Sequence, residues 1–291
     1  MIKVTNFDTF KCRCSAIAVI LANAQGNLQL TARMEDELKE LESKESLKEN
    51  QKKRLSELLV RKENGNKIVL GATCIKYLME WYSWETVGKI PVDKEAMDIE
   101  YTKKGTTMEA DSIKLLSIVD GEIYEKNTDG RIQNEYLSGI PDIYLGENIM
   151  SATKIIDVKS IWDYPSFLNK TFAPLELNYQ EQIQGYCDIT GAKEGELARC
   201  LVDMPEEIIT DYQYRLLKKM NLATTESPEF VKEWQKWENS MRFGDIPPHQ
   251  RVFKIKVEPF TEEERQRVYD RVKYCREWLW NFDEQYKELN N

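Results

Sequence analysis

Histidine is almost absent from this chain: its 291 residues include one, His249. A histidine-rich metal centre is excluded, and a Ser-His-Asp triad would have to rest on that single residue. Cysteine is present but unorganised. Cys12, Cys14, Cys74, Cys187, Cys200 and Cys275 are scattered, and no pair has the CxxC spacing of a zinc site. They read as reduced thiols in a cytoplasmic protein. No run of about 18 apolar residues occurs, so no segment reads as a membrane-spanning helix. The opening Met-Ile-Lys-Val-Thr-Asn-Phe-Asp lacks the apolar core of a secretory signal. Positive charge is in deficit: 41 Lys and Arg against 50 Asp and Glu leave a formal net charge of −9. That argues against a general nucleic-acid coat and leaves room for one local basic groove. No internal repeat or low-complexity linker interrupts the chain, which is long enough for one large core or two small ones.

What is present is concentrated in residues 139–160. Gly139-Ile140-Pro141-Asp142-Ile143-Tyr144 runs into a Gly-Glu-Asn turn, and the chain returns as Lys154-Ile155-Ile156-Asp157-Val158-Lys159-Ser160. The returning arm has the composition and alternation of a strand. Residues two apart share a strand face, so Ile155, Asp157 and Lys159 point one way and Ile156 and Val158 the other. Asp142 is flanked by Ile140 and Ile143. Pairing of the two arms as a hairpin would bring two carboxylates and an ammonium to one place. Two carboxylates suit a hard cation such as Mg²⁺, which acidifies a bound water and neutralises phosphoryl charge. A lysine beside them can orient that water. A structural ion pair on a strand would look the same.

Three further stretches bear on this choice. Residues 105–118 read as a helix on which Glu109, Ile113 and Leu116 share one stripe, with Asp111 and Lys114 opposite. Glu109 is thus an acid on the apolar side, needing a partner or a metal, or else a first-turn acid favoured by the helix dipole. Residues 123–132 read as a hairpin with Asp129-Gly130 as its turn, feeding an antiparallel meander that delivers Asp142 and Asp157. Residues 177–190 read as a helix stopped by Gly191, with Gln182 and Tyr186 on one face and Gln184 completing a Gln-x-Gln pair. A strand over residues 195–204 follows.

Pro141-Asp142, a spacer and Asp157-Val158-Lys159 resemble the PD-(D/E)xK nuclease superfamily. Gly105-x-x-x-Glu109 resembles the helix that precedes Pro-Asp in its exonuclease branch, and Gln182-x-x-x-Tyr186 resembles the helix after the catalytic strand in lambda-type and RecB-like exonucleases. The four signals fall in family order across residues 105–204. The RecB-like branch usually has a histidine where this chain has none, and the iron–sulfur branch needs a C-terminal cysteine group where only Cys275 lies. The resemblance implies an α/β, restriction-endonuclease-like core with a mixed central sheet flanked by helices. It implies Mg²⁺, with Mn²⁺ as a substitute, held by Asp142, Asp157 and the Val158 carbonyl, with Glu109 completing the site directly or through water. Lys159 would position the attacking water, and Gln182 and Tyr186 would hold the site or the scissile strand. The implied activity is hydrolysis of DNA phosphodiesters from duplex ends in phage-type recombination, alongside a single-strand annealing protein. A structure-specific or restriction-type endonuclease, and an inactive DNA-end or protein-binding module, remain alternatives.

Around this core the chain reads as helical. Residues 1–104 form a helical N-terminal region packed on the core, residues 105–204 the nuclease core, and residues 205–291 a helical C-terminal region completing the same domain. In the first region, residues 10–22 suggest a helix broken at Gly26 and Asn27. Thr31 suggests a cap for a segment to Lys44, paired with a second over residues 47–61 whose apolar side is Leu55, Leu58 and Leu59. This hairpin is either a solvated pair or a flap touching DNA through Lys52, Lys53, Arg54 or Lys62. A helix over residues 75–84 and a loop over residues 85–104, with Gly88 and Pro91, complete the region. The segment carrying Trp162, Tyr164, Pro165 and Phe167 reads as core and loop packing, with base stacking as the alternative. In the last region, residues 205–220 form a helix, Ser227-Pro228 opens another carrying Phe230, Trp234 and Trp237, and residues 250–258 alternate as an edge strand. Thr261 and Glu264 form a capping box. Val268, Val272, Cys275, Leu279 and Phe282 make a stripe for core or homo-oligomer contact.

Overall fold

The computed structural model describes residues 5–22, 30, 32–44, 46–64, 69–89 and 100–289. Gly26, Asn27, Thr31 and Pro91 lie outside them. The centre is a mixed four-stranded sheet of β4 (Ile143–Leu145), β5 (Lys154–Ser160), β6 (Glu194–Cys200) and β7 (Val252–Val257), in that spatial order. β4 pairs antiparallel with β5, β5 parallel with β6, and β6 antiparallel with β7. The parallel pair requires a crossover. It is made by two helices, Tyr164–Phe172 and Leu177–Thr190.

The alternation read from β5 is the one that packs. Ile155 joins Leu197 and the helix Leu177–Thr190 in the largest core, while Ile156 and Val158 meet Ile113, Leu115 and Leu116 on the opposite face. The helix carrying those three, Glu109–Asp120, keeps Asp111 and Lys114 exposed as its periodicity required. The final helix, Glu262–Glu288, starts at the Thr261–Glu264 capping box. Its stripe is core: Val268, Val272, Cys275 and Leu279 are buried against Ile17–Leu21 and Ala72–Val87. Tyr82 donates a hydrogen bond of 2.8 Å to the buried Asp283 and ties two of these helices together. All six cysteines are free and buried.

Three expectations are corrected. Residues 123–132 form no hairpin. Asn127 accepts from the Asp129 N–H at 2.9 Å and donates to the Pro141 carbonyl at 2.9 Å, while its own N–H reaches the Asp142 carbonyl at 2.7 Å. Those side-chain bonds outcompete a ladder, and Asp129-Gly130 becomes a bend in a strap over the Pro141-Asp142 backbone. The hairpin lies further on, between β2 (Ile132–Gln133) and β3 (Leu137–Gly139), closed by Asn134. β3 pairs parallel with β1 (Cys12–Arg13) in a separate small sheet, so the expected meander is split between two sheets. The strand β1 also interrupts the helical reading of the N-terminal region. Third, the expected loop over residues 85–104 ends in helix from Glu100 on. The helix Glu100–Thr107 breaks at Met108 before Glu109–Asp120 begins.

The charged helices Ala32–Glu42 and Glu49–Asn64 form the expected pair around Leu38, Leu41 and Leu58. Leu59, expected on that side, is 42% exposed. Arg54, Lys52 and Lys62 are engaged within the pair by Glu37, Glu49 and Glu42. Among the described residues no helix is long and apolar enough to cross a membrane.

Candidate active site

Asp142 sits just before β4, where the ladder with β5 has its last register pair, Ile143 with Ile156. Its carboxylate takes over from the missing strand bond: Oδ2 accepts the Val158 N–H at 2.8 Å. The strap through Asn127 fixes the backbone on its other side. Asp157, one position before Val158 on β5, is fully buried. Its Oδ1 accepts a hydrogen bond of 3.1 Å from Gln182 Nε2. Its Oδ2 faces the Lys159 ammonium at 2.6 Å, as an ion pair whose angles depart from a regular hydrogen bond. The two arms therefore converge as the hairpin reading required.

The electrostatics follow from this crowding. Burial, and then the charge of Asp157, push the Asp142 carboxyl up to about 7; Lys159 and the Val158 N–H pull the other way. Asp157 is also raised, first by burial, with Lys159 opposing and Glu109 adding to the rise. For Lys159, burial works to discharge the ammonium, but Asp157 and Asp142 outweigh it and its pKa is raised. The lysine stays cationic, with its ammonium 5.5 Å from the centre of the Tyr179 ring.

The helix Leu177–Thr190 supplies the next layer. Gln182 donates to both Asp157 and the Tyr186 hydroxyl, the latter at 2.9 Å, so the pair four residues apart is one polar unit against the buried acid. Burial raises the Tyr186 hydroxyl well above its ordinary value, leaving it protonated. Gln184 points elsewhere, to the Glu258 carbonyl at 3.2 Å. The Tyr186 ring comes this close because residue 139 lacks a side chain: a Cβ there would stand 2.5 Å from Tyr186 Cε1. Gly139→Ala should cost about 1–3 kcal/mol of stability by overpacking and lower catalysis through Tyr186 and Gln182. Denaturant unfolding beside a cleavage assay checks both effects.

Glu109 opens its helix and lines the same cavity of about 480 Å³ as Asp142, Val158 and Lys159. Its carboxylate is 2.8 Å from the Lys126 ammonium. Among the described residues no three His, Cys, Asp or Glu side chains form a ready metal cluster. The donor set still fits a hard cation. Asp142 and Asp157 are adjacent carboxylates whose mutual repulsion a cation would relieve, and Mg²⁺ is ordinarily held by one or two carboxylates plus waters.

Of two supports missed from the sequence, one carried no signal that singled it out. Lys104 is 1% exposed and donates to the carbonyls of Trp162, at 3.0 Å, and Val202, at 2.8 Å. It pins the helix Glu100–Thr107 across the carboxyl ends of β5 and β6, and burial lowers its pKa to about 7. Asn127 did have a signal: Asn-Thr-Asp-Gly suits a side-chain-closed turn as well as a hairpin.

No protein-family model and no curated protein matches this chain. Solved structures do. The crystal structure of a phage related exonuclease from Haemophilus somnus 129PT superposes with a TM-score of 0.57 at 18% identity, covering 96% of this chain and 97% of that one. LHK-Exo in complex with dAMP gives a TM-score of 0.52 at 12% identity, covering 97% and 96%; LHK-Exo is an alkaline exonuclease from Laribacter hongkongensis. At these identities the likeness establishes a shared fold over nearly the whole chain, the mixed α/β fold expected from the motifs.

Proposed function

We propose that this chain is a metal-dependent deoxyribonuclease that degrades duplex DNA from its ends. The observation that carries the reading is the convergence of Asp142 and Lys159 at one cavity, with Asp157 buried against Lys159 and held from behind by Gln182. The fold neighbours support it, since both are described as exonucleases and one is bound to dAMP. Asp142, Asp157 and the Val158 carbonyl would hold Mg²⁺ or Mn²⁺, with Glu109 contributing directly or through water. When bound, the cation supplies charge neutralisation at the phosphoryl oxygen and a more acidic water. Lys159 holds its proton, orients the attacking water and meets the charge that develops on the phosphate. Gln182 fixes the Asp157 carboxylate, and Tyr186 fixes Gln182. Duplex ends are the proposed partner. A single-strand annealing protein and assembly into a homo-oligomer belong to the same proposal, by analogy with phage recombination.

The test uses linear duplex labelled at each end in turn, with covalently closed circles in parallel and Mg²⁺ present. Stepwise release of label from linear duplex, with circles intact, is expected. Cutting of circles would make the protein an endonuclease with the same site. No turnover of any duplex or single strand, with either cation, would leave a binding module.

Glu109→Gln separates the two roles of that residue. Its surface ion pair with Lys126 is worth about 0–1 kcal/mol. Outer partners of metal sites typically cost about 10–100-fold when changed. Cleavage should therefore fall by about that factor with the thermal midpoint barely moved. Unchanged turnover would reduce Glu109 to a helix-terminal charge.

A further inference from the structure

The cavity has a second cation that the proposed chemistry does not use. Lys170 lies near the end of the helix Tyr164–Phe172, and its side chain is 36% exposed into the cavity that Asp142 and Lys159 line. Ser166, four residues earlier and so on the same helix face, lines that cavity too. The Lys170 ammonium is held 2.5 Å from Glu176 Oε1. The other oxygen of Glu176 takes the guanidinium of Arg199, which also donates to the Lys170 carbonyl. Arg199 is 1% exposed and stands beside Lys159 in the β5–β6 register. One carboxylate thus bridges a buried cation and a partly exposed one.

We propose that Lys170, with the Ser166 hydroxyl, seats a backbone phosphate of the DNA strand next to the scissile one. This rests on the nuclease reading above. In the free protein Glu176 occupies the place of the phosphate, so binding exchanges one anion for another on an ammonium already desolvated on one side. Arg199 keeps Glu176 in place once Lys170 has turned to the strand. Arg199 and Glu176 are positioning residues, and Lys170 is the phosphate contact. Lys159, Lys170 and Arg199 reach the cavity from β5, the crossover helix and β6, and Asp142 and Glu109 reach it from before β4 and from the helix Glu109–Asp120.

The test is DNA binding by fluorescence anisotropy over a salt series, with Ca²⁺ replacing Mg²⁺, for the wild type, Lys170→Gln and Lys170→Arg. Each phosphate contact contributes about 0.9 to the slope of log K against log salt. Lys170→Gln should lower the slope by about that amount and weaken binding about five- to tenfold at 0.1 M salt, with an unchanged thermal midpoint; Lys170→Arg should restore both. A duplex carrying neutral methylphosphonates one at a time locates the contact. One position near the cleaved end should cost the wild type affinity and cost Lys170→Gln nothing. If every position costs both proteins equally, or the slope is unchanged, Lys170 is a structural partner of Glu176. If wild type neither binds nor cuts DNA, the nuclease reading itself falls.

Discussion

Replacing Lys159 with alanine should lower single-turnover DNA cleavage by about 10²–10³-fold or more, the loss seen when one preorganised donor to a developing oxyanion is removed. The same variant should bind Mg²⁺ at pH 8 at least as tightly as the wild type. The ammonium lies 2.6 Å from Asp157 and raises the charge a cation must displace or tolerate. Removing it leaves two adjacent carboxylates with no cationic neighbour in contact. The opposing effects distinguish a catalytic lysine from a structural one. Stability falls in either role, because Asp157 is fully buried and its Oδ2 has no hydrogen-bond partner, so a purely structural lysine is recognised by cleavage that survives wherever the variant is folded. Calorimetric titration of metal, a thermal melt and a single-turnover assay on one preparation give the three readouts. Normal cleavage, or loss of cleavage explained by unfolding, would remove Lys159 from the mechanism and with it the centre of the proposed site.

The parts of this site visible in the sequence are those set by local periodicity. β5 shows an acid and a lysine on the face it shares with Ile155, and a strand has no other way to place them. The helix Leu177–Thr190 announces its end by Gly191, which adopts φ +79°, and the spacing of Gln182 and Tyr186 puts both on one side. The capping box at Thr261 and the Ser227 cap are equally local, and both form as read. What stayed hidden is what depends on distant partners. Lys104 looks like any solvated loop lysine until Trp162 and Val202 arrive 58 and 98 residues later. Arg199 falls on the face of β6 that carries the buried Leu197, and its partner Glu176, across the crossover, cannot be named from the strand itself.

The failed hairpin over residues 123–132 has a different cause. The Asp-Gly signal was real: Gly130 does adopt φ +79°. The flanking residues, Glu125-Lys126-Asn127-Thr128, offered little apolar surface to bury on a sheet face, while Asn127 offered a side chain that can satisfy backbone groups directly. The segment therefore became a strap that fixes Asp142 and presents Lys126 to Glu109. In this way a misread turn contributes to the site, and the strap explains how Asp142 is held before β4 begins.

Asp142→Asn should abolish cleavage and, without metal, stabilise the protein by more than about twice as much at pH 8 as at pH 5, on the order of the linkage for its raised pKa. The sign follows from linkage. Burial and Asp157 raise the Asp142 pKa from the ordinary 3.8 to about 7, so the folded state binds this proton more tightly than the unfolded chain. The stability this proton contributes is complete below about pH 4 and is lost as pH rises through about 7. At pH 8 the wild type carries the full cost of a buried, repelled charge, at most about 4 kcal/mol for that pKa difference. Asparagine is neutral throughout, can still accept the Val158 N–H, and can donate to Asp157. At pH 5 the folded carboxyl is protonated while the unfolded one is still mostly ionised, so the advantage of asparagine should fall to less than about half its pH 8 value and vanish only below about pH 4. Urea unfolding in EDTA at both pH values measures the difference. Adding Mg²⁺ at pH 8 should then raise the wild-type midpoint and leave that of Asp142→Asn nearly unmoved, because the cation relieves a repulsion that the variant no longer has. A stability gap independent of pH would mean that Asp142 is not raised. A variant that keeps cleaving would mean that Asp142 holds no metal. A wild type indifferent to Mg²⁺ would mean that the paired carboxylates serve the fold and not the cation.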